Sequence, residues 1–166
     1  MIWLFDKSST ISSEELEEAV MADTYTPEPQ VDIFTDGACK GNPGPGGWAA
    51  ILRYKDQYKE IYGKSDGVTT NNRMELTAVA EALKCLKKPC SVTIHSDSQY
   101  VCNAFNKNWI SSWQKIGWRD VKNSDLWQTL LSAMSMHTVN YVWVRGHSGN
   151  LYNERCDHLA TKMAER

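Results

Sequence analysis

Five residues are of types that could carry metal-assisted chemistry: the carboxylates Asp36, Glu75, Asp97 and Asp157, and the imidazole of His147. Asp36 follows the short apolar run Val31-Asp32-Ile33-Phe34 and precedes a tract of Gly, Pro and Asn that reaches Gly47. Asp97 likewise follows a strand-like run, whereas Glu75 and Asp157 each fall near the start of a helix-like segment. Every acid has an ordinary explanation taken singly. Glu75 has the spacing of a capping box with Asn72, Asp97 could cap a helix, and Asp157 suits the positive end of a helix dipole. Gathered at one place, however, four carboxylates repel one another and raise each other's pKa unless a divalent cation sits among them. An all-oxygen set suits Mg²⁺ or Mn²⁺. Two such ions about 4 Å apart can activate a water and stabilise the leaving oxygen of an in-line phosphodiester displacement. His147 lies in Arg145-Gly146-His147-Ser148-Gly149-Asn150, where the flanking glycines point to a mobile loop able to bring a proton carrier to that centre.

Positioning these side chains takes alternating strands and helices. The β-branched run at 31–34 reads as a buried strand ending just before Asp36, and 48–54 and 58–63 as two more strands around the polar turn Lys55-Asp56-Gln57. Residues 65–69 read as loop. The clearest helix is 71–87, with Leu76, Val79, Leu83 and Leu86 on one face and Pro89 just beyond its end. A strand at 91–95, a short helix at 98–105, an aromatic and basic stretch at 109–118 and a helix capped by Asn123 or Ser124 and running to about Met136 follow. A fifth strand at 139–144 leads to a last helix capped by Asn153 and ending near Ala164. Three successive strands followed by α-β-α-β-α imply an α/β sandwich: a five-stranded mixed sheet flanked by helices, its first three strands antiparallel.

Length and composition fit one soluble domain: 166 residues, 42% hydrophobic and 23% charged. No apolar run approaches a membrane span, and residues 1–5 are too short for a secretory core. The odd set Cys39, Cys85, Cys90, Cys102 and Cys156 contains no CxxC pair, which predicts reduced thiols and a cytoplasmic protein. The net charge of −2 hides a division, because residues 1–30 carry −6 and residues 31–166 carry +4. The first 30 residues therefore read as an acidic extension: the apolar tetrad Ile2-Trp3-Leu4-Phe5, a short helix capped at Ser12 or Ser13, and a Pro-flanked linker. The rest is mildly basic, compatible with a polyanionic partner.

The ordered segments together resemble type 1 ribonuclease H, the endonuclease that cleaves the RNA strand of RNA–DNA hybrids. They are Phe34-Thr35-Asp36-Gly37 with Gly41-Asn42-Pro43-Gly44-Pro45-Gly46-Gly47, Thr70-Asn71-Asn72-Arg73-Met74-Glu75-Leu76, Ser96-Asp97-Ser98-Gln99-Tyr100-Val101, Asp125-Leu126-Trp127, and Gly146-His147 through Asn153-Glu154-Arg155-Cys156-Asp157. The resemblance implies that Asp36, Glu75, Asp97 and Asp157 hold two Mg²⁺ ions, with Mn²⁺ a substitute, and that His147 assists proton transfer or product departure. It implies that Asn42, Asn71, Asn72 and Gln99 touch the hybrid's minor groove and 2′-hydroxyls. Thr70 would hold a DNA-strand phosphate and Asn153 would steady the His147 region. Trp127 is a candidate substrate contact, although Trp109, Trp113, Trp118 and Trp127 could pack on sugars or on one another, with core packing expected for at least two of them. It further implies 5′-phosphate and 3′-hydroxyl products, removal of RNA primers or hybrids during replication, a catalytic domain at 31–166, and a monomer that does not engage membranes. Two departures stand out. The basic protrusion usual in bacterial members is shortened here to Lys115, Arg119 and Lys122, and Gly67-Val68-Thr69 lacks an Arg often found near the DNA-phosphate pocket. Rival readings are a catalytically dead hybrid binder, which should lack a carboxylate; a DNA-cutting resolvase or transposase core, which generally lacks the 70–76 segment with its paired Asn; and a structural or partner-binding domain whose acidic N-terminal tail matters most.

Overall fold

The computed structural model describes residues 12–25 and 28–166. Its elements run α1 (Ser13–Tyr25), β1 (Gln30–Cys39), β2 (Gly44–Tyr54), β3 (Gln57–Thr69), α2 (Asn71–Lys84), β4 (Ser91–Ser96), α3 (Gln99–Asn106), α4 (Trp109–Lys115), α5 (Ser124–Met134), β5 (Thr138–Trp143) and α6 (Leu151–Glu165). The five strands form one sheet in the order β3-β2-β1-β4-β5, with β1 antiparallel to β2 and parallel to β4. The expected mixed sheet and its flanking helices are present.

Strand alternation divides the core in two. Val31 and Ile33 of β1, Ala50 and Leu52 of β2, and Val92 and Ile94 of β4 pack on one face, against α2, α3 and α5. Phe34, Ala49 and Ile51 face the other way and pack against Cys156, Leu159 and Ala160 of α6. Gly47 lets α6 approach: a Cβ there would lie 2.3 Å from the Ala160 carbonyl oxygen.

Several boundaries differ from expectation. β1 continues through Asp36 to Cys39 and β2 begins at Gly44, so the Gly/Pro tract is loop only between them; the Lys40 N–H closes it by donating to the Pro45 carbonyl at 2.8 Å. Residues 65–69 are strand, because Val68 and Thr69 pair with Pro45 and Gly44 beyond a register shift. The shift absorbs two residues of mismatch, since β3 advances from Lys64 to Val68 while β2 advances only from Gly47 to Pro45, so alternation alone hides the continuation. α2 ends at Lys84, three residues early. α6 begins at Leu151, capped by Asn150 rather than Asn153: the Asn150 Oδ1 accepts from the N–H groups of Tyr152 and Asn153 at 3.0 and 3.1 Å. Asn123 occupies the N-cap position of α5 but makes no capping bond with its side chain. In the acidic extension, Ser12 and Glu15 form a reciprocal capping box at 2.8 and 3.1 Å. Residues 1–11, with the apolar tetrad, and 26–27 of the linker lie outside the described residues.

Candidate active site

The sheet splits at one end, and the carboxylates gather there. The last paired rung between β1 and β4 joins Phe34 to His95. Asp36 and Asp97 each stand two residues further on, on the same side of their strands, which diverge around them. Asp36 is thus interior to β1 rather than at its end, but it lies beyond the last rung shared with β4. Glu75 enters from the opposite layer, on the second turn of α2. Gly37 permits this, since a Cβ there would fall 2.5 Å from the Glu75 backbone N and 2.6 Å from the Met74 carbonyl carbon. Oxygens of Asp36, Glu75 and Asp97 all lie within 4.8 Å of one another. Asp157, on the second turn of α6, faces the same recess of about 470 Å³, which Asp36, Asn71, Asn72, Glu75, Asp97 and Gln99 also line.

The competing capping roles are filled by other residues. Thr70, not Asn72, caps α2, its Oγ1 accepting from the Arg73 N–H at 3.3 Å. Ser98, not Asp97, caps α3, accepting from the Val101 N–H at 3.2 Å. Glu75 and Asp97 therefore have no secondary-structure duty that explains them. Glu75 is 8% exposed and its Oε2 has no hydrogen-bond partner, a costly arrangement for an acid unless something cationic or protonated faces it.

The electrostatics say the same. Burial, followed by the charges of Asp97 and Asp157, pushes the Asp36 carboxyl up to about 7, against the hydrogen bonds it accepts from Glu75 and the Gly37 N–H. Burial and the neighbouring Asp36 charge push Glu75 well above its ordinary value. Asp97 is raised by burial and then by Asp157. Hard oxygen donors, three of them mutually within reach and one orphaned, fit a divalent cation.

A pH dependence follows. Folded Asp36 holds its proton more tightly than the unfolded chain does, so its contribution is fully present below about pH 4 and is lost as pH rises through about 7. Glu75 and Asp97, also raised, act in the same direction. The melting temperature in EDTA should therefore fall from pH 5 to pH 8, and Mg²⁺ should restore more of it at pH 8. A flat profile in EDTA would show that the carboxylates are not coupled as described.

His147 is exposed and has a left-handed backbone, φ 55°, a conformation non-glycine residues adopt sparingly. Its loop closes a small cavity of about 20 Å³ shared with Asp36, Asp97, Asn153 and Asp157. Asn153 Nδ2 donates to the His95 carbonyl at 3.1 Å, while its buried Oδ1 is left without a partner. Asn71, Asn72 and Gln99 are exposed on the rim of the large recess. Asn42 Oδ1 accepts from the Asn71 N–H at 3.0 Å, tying the Gly/Pro loop to the start of α2.

Trp127 is a correction. It is fully buried beneath Tyr100, Phe105 and Trp113, and its indole N–H donates to the Tyr100 hydroxyl at 3.1 Å, so it supports the fold and cannot meet a substrate. Sequence reasoning missed Trp143. Its indole N–H donates to the Asp97 backbone carbonyl at 2.9 Å, and an aromatic at the end of an edge strand gave no signal of it.

Gly37 carries a direct test. Gly37→Ala forces α2 away from β1, which should cost about 1–3 kcal/mol of stability, as overpacking does, and draw Glu75 out of the cluster. Melting temperature and cleavage rate should both fall; wild-type cleavage would mean that Glu75 need not sit where it does.

The chain matches the family model described as RNase H over residues 28–165. It is 56% identical over 142 residues to ribonuclease H of Oleidesulfovibrio alaskensis, covering 82% of this chain and 92% of that protein. Among solved structures it is similar to LC9-RNase H1, a type 1 RNase H with the type 2 active-site motif, at TM-score 0.75 and 30% identity, covering 84% of this chain and 74% of that one. LC11-RNase H1 in complex with an RNA/DNA hybrid shares the fold at TM-score 0.61 and 21% identity, covering 81% of this chain and 96% of that one. The carboxylate-bearing split in the sheet lies inside the matched span, and the chain belongs to the RNase H family, among its type 1 members.

Proposed function

We propose that this chain is an endonuclease hydrolysing the RNA strand of RNA–DNA hybrids, with Asp36, Glu75, Asp97 and Asp157 holding divalent cations that are Mg²⁺ in the cell, Mn²⁺ substituting. The observation that carries this is the cluster of three carboxylates within 4.8 Å, one with an orphaned buried oxygen. A bound divalent ion supplies Lewis acidity, activating water and stabilising the leaving oxygen. The protein's own residues hold the substrate and move the proton. Asn71, Asn72 and Gln99 on the rim are placed to read 2′-hydroxyls across a minor groove. Thr70 Oγ1 already accepts from the Arg73 N–H, which leaves its O–H to donate to a phosphate of the DNA strand. His147, on its exposed loop, protonates the departing 3′-oxygen or escorts the product, giving 5′-phosphate and 3′-hydroxyl ends. Cleavage assays on matched hybrid, duplex RNA and duplex DNA, with Mg²⁺ or EDTA, test this; cutting of duplex DNA, or of hybrid in EDTA, would overturn it.

The working unit is residues 31–166, acting as a monomer; removal of primers and stray hybrids during replication is its proposed use. The five cysteines are unpaired, which favours a reducing compartment such as the cytoplasm. No helix among the described residues is long and apolar enough to cross a membrane. A chain beginning at Pro29 keeps the hydrogen bond from the Ser91 N–H to the Pro29 carbonyl and should cleave at close to the full-length rate. A tenfold loss would show that the acidic extension completes the fold, whereas modestly tighter hybrid binding would fit removal of its negative charge.

Hybrid binding should respond weakly to salt. Arg73, which could have met a phosphate, is committed to Asp125 through two hydrogen bonds of 3.1 and 2.8 Å. With Arg73 so engaged, log K should fall with log salt by about 0.7 to 0.9 per phosphate contact and report few contacts. A slope demanding eight or more would reveal a basic surface elsewhere, with Lys40 the first residue to substitute.

A further inference from the structure

The face of the sheet under α6 carries a stack of four rings that the chemistry above does not use. Tyr58 of β3 lies on Tyr152 of α6 with centroids 5.7 Å apart, Tyr152 on Phe34 of β1 at 4.7 Å, and Phe34 on His95 of β4 at 4.6 Å. The Tyr58 and Tyr152 hydroxyls share a hydrogen bond at 3.2 Å. Arg53 of β2 sets its guanidinium 5.2 Å from the Phe34 ring centroid and 5.0 Å from that of Tyr152. Asp32 then ties both ends together, accepting from Arg53 Nη2 at 3.0 Å and pairing with His95 Nε2 at 2.8 Å.

The place of this stack matters more than its size. Phe34 and His95 form the last rung before the strands part, two residues short of Asp36 and Asp97. Tyr152 is the second residue of α6; Asn153 beside it bonds the His95 carbonyl, and Asp157 lies one turn beyond Asn153 on the same helix face. Asp36 and Glu75 stand on β1 and α2, and Asp97 directly follows β4. Asp157 is the one carboxylate whose position depends on how the first turns of α6 are seated. Arg155 and Glu60, bonded at 2.7 and 3.2 Å, hold the same helix to β3 from its outer side.

We propose that Tyr152, clamped between Tyr58 and Phe34 under Arg53, is a positioning residue that sets Asp157 against the other three carboxylates and so fixes the affinity for the divalent ion. The inference rests on the metal-site reading above. Loosening the clamp shifts only the fourth carboxylate and leaves the hybrid-facing rim on α2 and α3 in place. It should therefore raise the metal requirement without weakening substrate binding.

The test compares full-length wild type, Tyr152→Ala and Tyr152→Phe in two Mg²⁺ titrations: thermal melting of the free protein, and cleavage at fixed hybrid. Partners that orient metal ligands typically contribute ten- to a hundredfold in metal affinity or activity. For Tyr152→Ala we expect the Mg²⁺ midpoint of the melting shift to rise about tenfold, kcat at fixed Mg²⁺ to fall, and KM for hybrid to stay within twofold. Tyr152→Phe keeps the ring and should keep the wild-type midpoint. A lowered melting temperature with the midpoint within twofold of wild type makes Tyr152 merely structural and overturns the proposal, as would a Tyr152→Phe midpoint displaced as far as that of alanine. If Tyr152→Ala does not fold, Tyr58→Ala removes only the outer, largely exposed ring; a midpoint raised about threefold supports the clamp and an unmoved one overturns it. Wild type showing no Mg²⁺-dependent melting shift or cleavage would sink the metal-site reading itself, an outcome separate from unchanged variants.

Discussion

Asp97→Asn should abolish Mg²⁺-dependent cleavage while leaving a folded protein that still binds hybrid. Folding should survive because Ser98 caps α3, and because the carbonyl that accepts from Trp143 belongs to the Asp97 backbone and is untouched by the substitution. Asparagine keeps the size and hydrogen-bonding capacity of the side chain. It removes one charge from a cluster whose members raise each other's pKa, so the melting temperature in EDTA should stay level or rise. A neutral amide is a poor ligand for a hard cation, so a Mg²⁺-dependent rise in melting temperature should be smaller than in wild type. With less negative charge facing the scissile phosphate, a gel-shift titration should show hybrid affinity unchanged or improved. Unfolding would reveal a structural duty for the Asp97 carboxylate, and persistent cleavage would refute the metal site.

His147→Ala should slow turnover by roughly 10²-fold, the lower end of what a positioned acid–base group supplies. The imidazole is exposed, on a loop, and shares only a small cavity with Asp36 and Asp97, so it assists a centre that can work without it. KM for hybrid and the Mg²⁺ midpoint should both stay near wild type, since His147 belongs to neither the rim nor the carboxylate set. Single-turnover kinetics would separate its two candidate duties. A defect confined to multiple turnover assigns it to product departure, and one present in the first turnover assigns it to proton transfer. Complete inactivity with hybrid still bound would make it obligatory.

The sheet, the helices and the convergence of the acids were legible because each is written in local pattern. β-branched alternation marks the strands, the period of Leu76, Val79 and Leu83 marks α2, and motif order carries the family resemblance. What escaped depended on partners distant in sequence. The continuation of β3 to Thr69 needs its rungs with Gly44 and Pro45. Trp127 read as a candidate contact because an aromatic two residues after Asp125 looks the same whether it faces solvent or core; Tyr100 and Phe105 of α3 and Trp113 of α4, distant in sequence, cover it. The capping assignments slipped by one to three residues wherever Ser, Thr and Asn crowd a helix start, as in Thr70-Asn71-Asn72, because any of them could serve.

β1 runs from Gln30 to Cys39, and Asp36 stands six residues along it, about 20 Å from its beginning at strand rise. Whatever is covalently continuous with Gln30 therefore leaves the sheet at the end opposite the split. The turn between β2 and β3, the residues between α2 and β4, and those between α5 and β5 open at that same distal end, and none of them carries a group assigned to substrate or metal. The molecule thus has a working end and a grip end. A fused protein, a surface linker or a fluorescent reporter attached through the grip end is held about 20 Å along β1 from Asp36. The same body could be anchored, delivered or concentrated at a chosen place without the anchorage competing for the substrate.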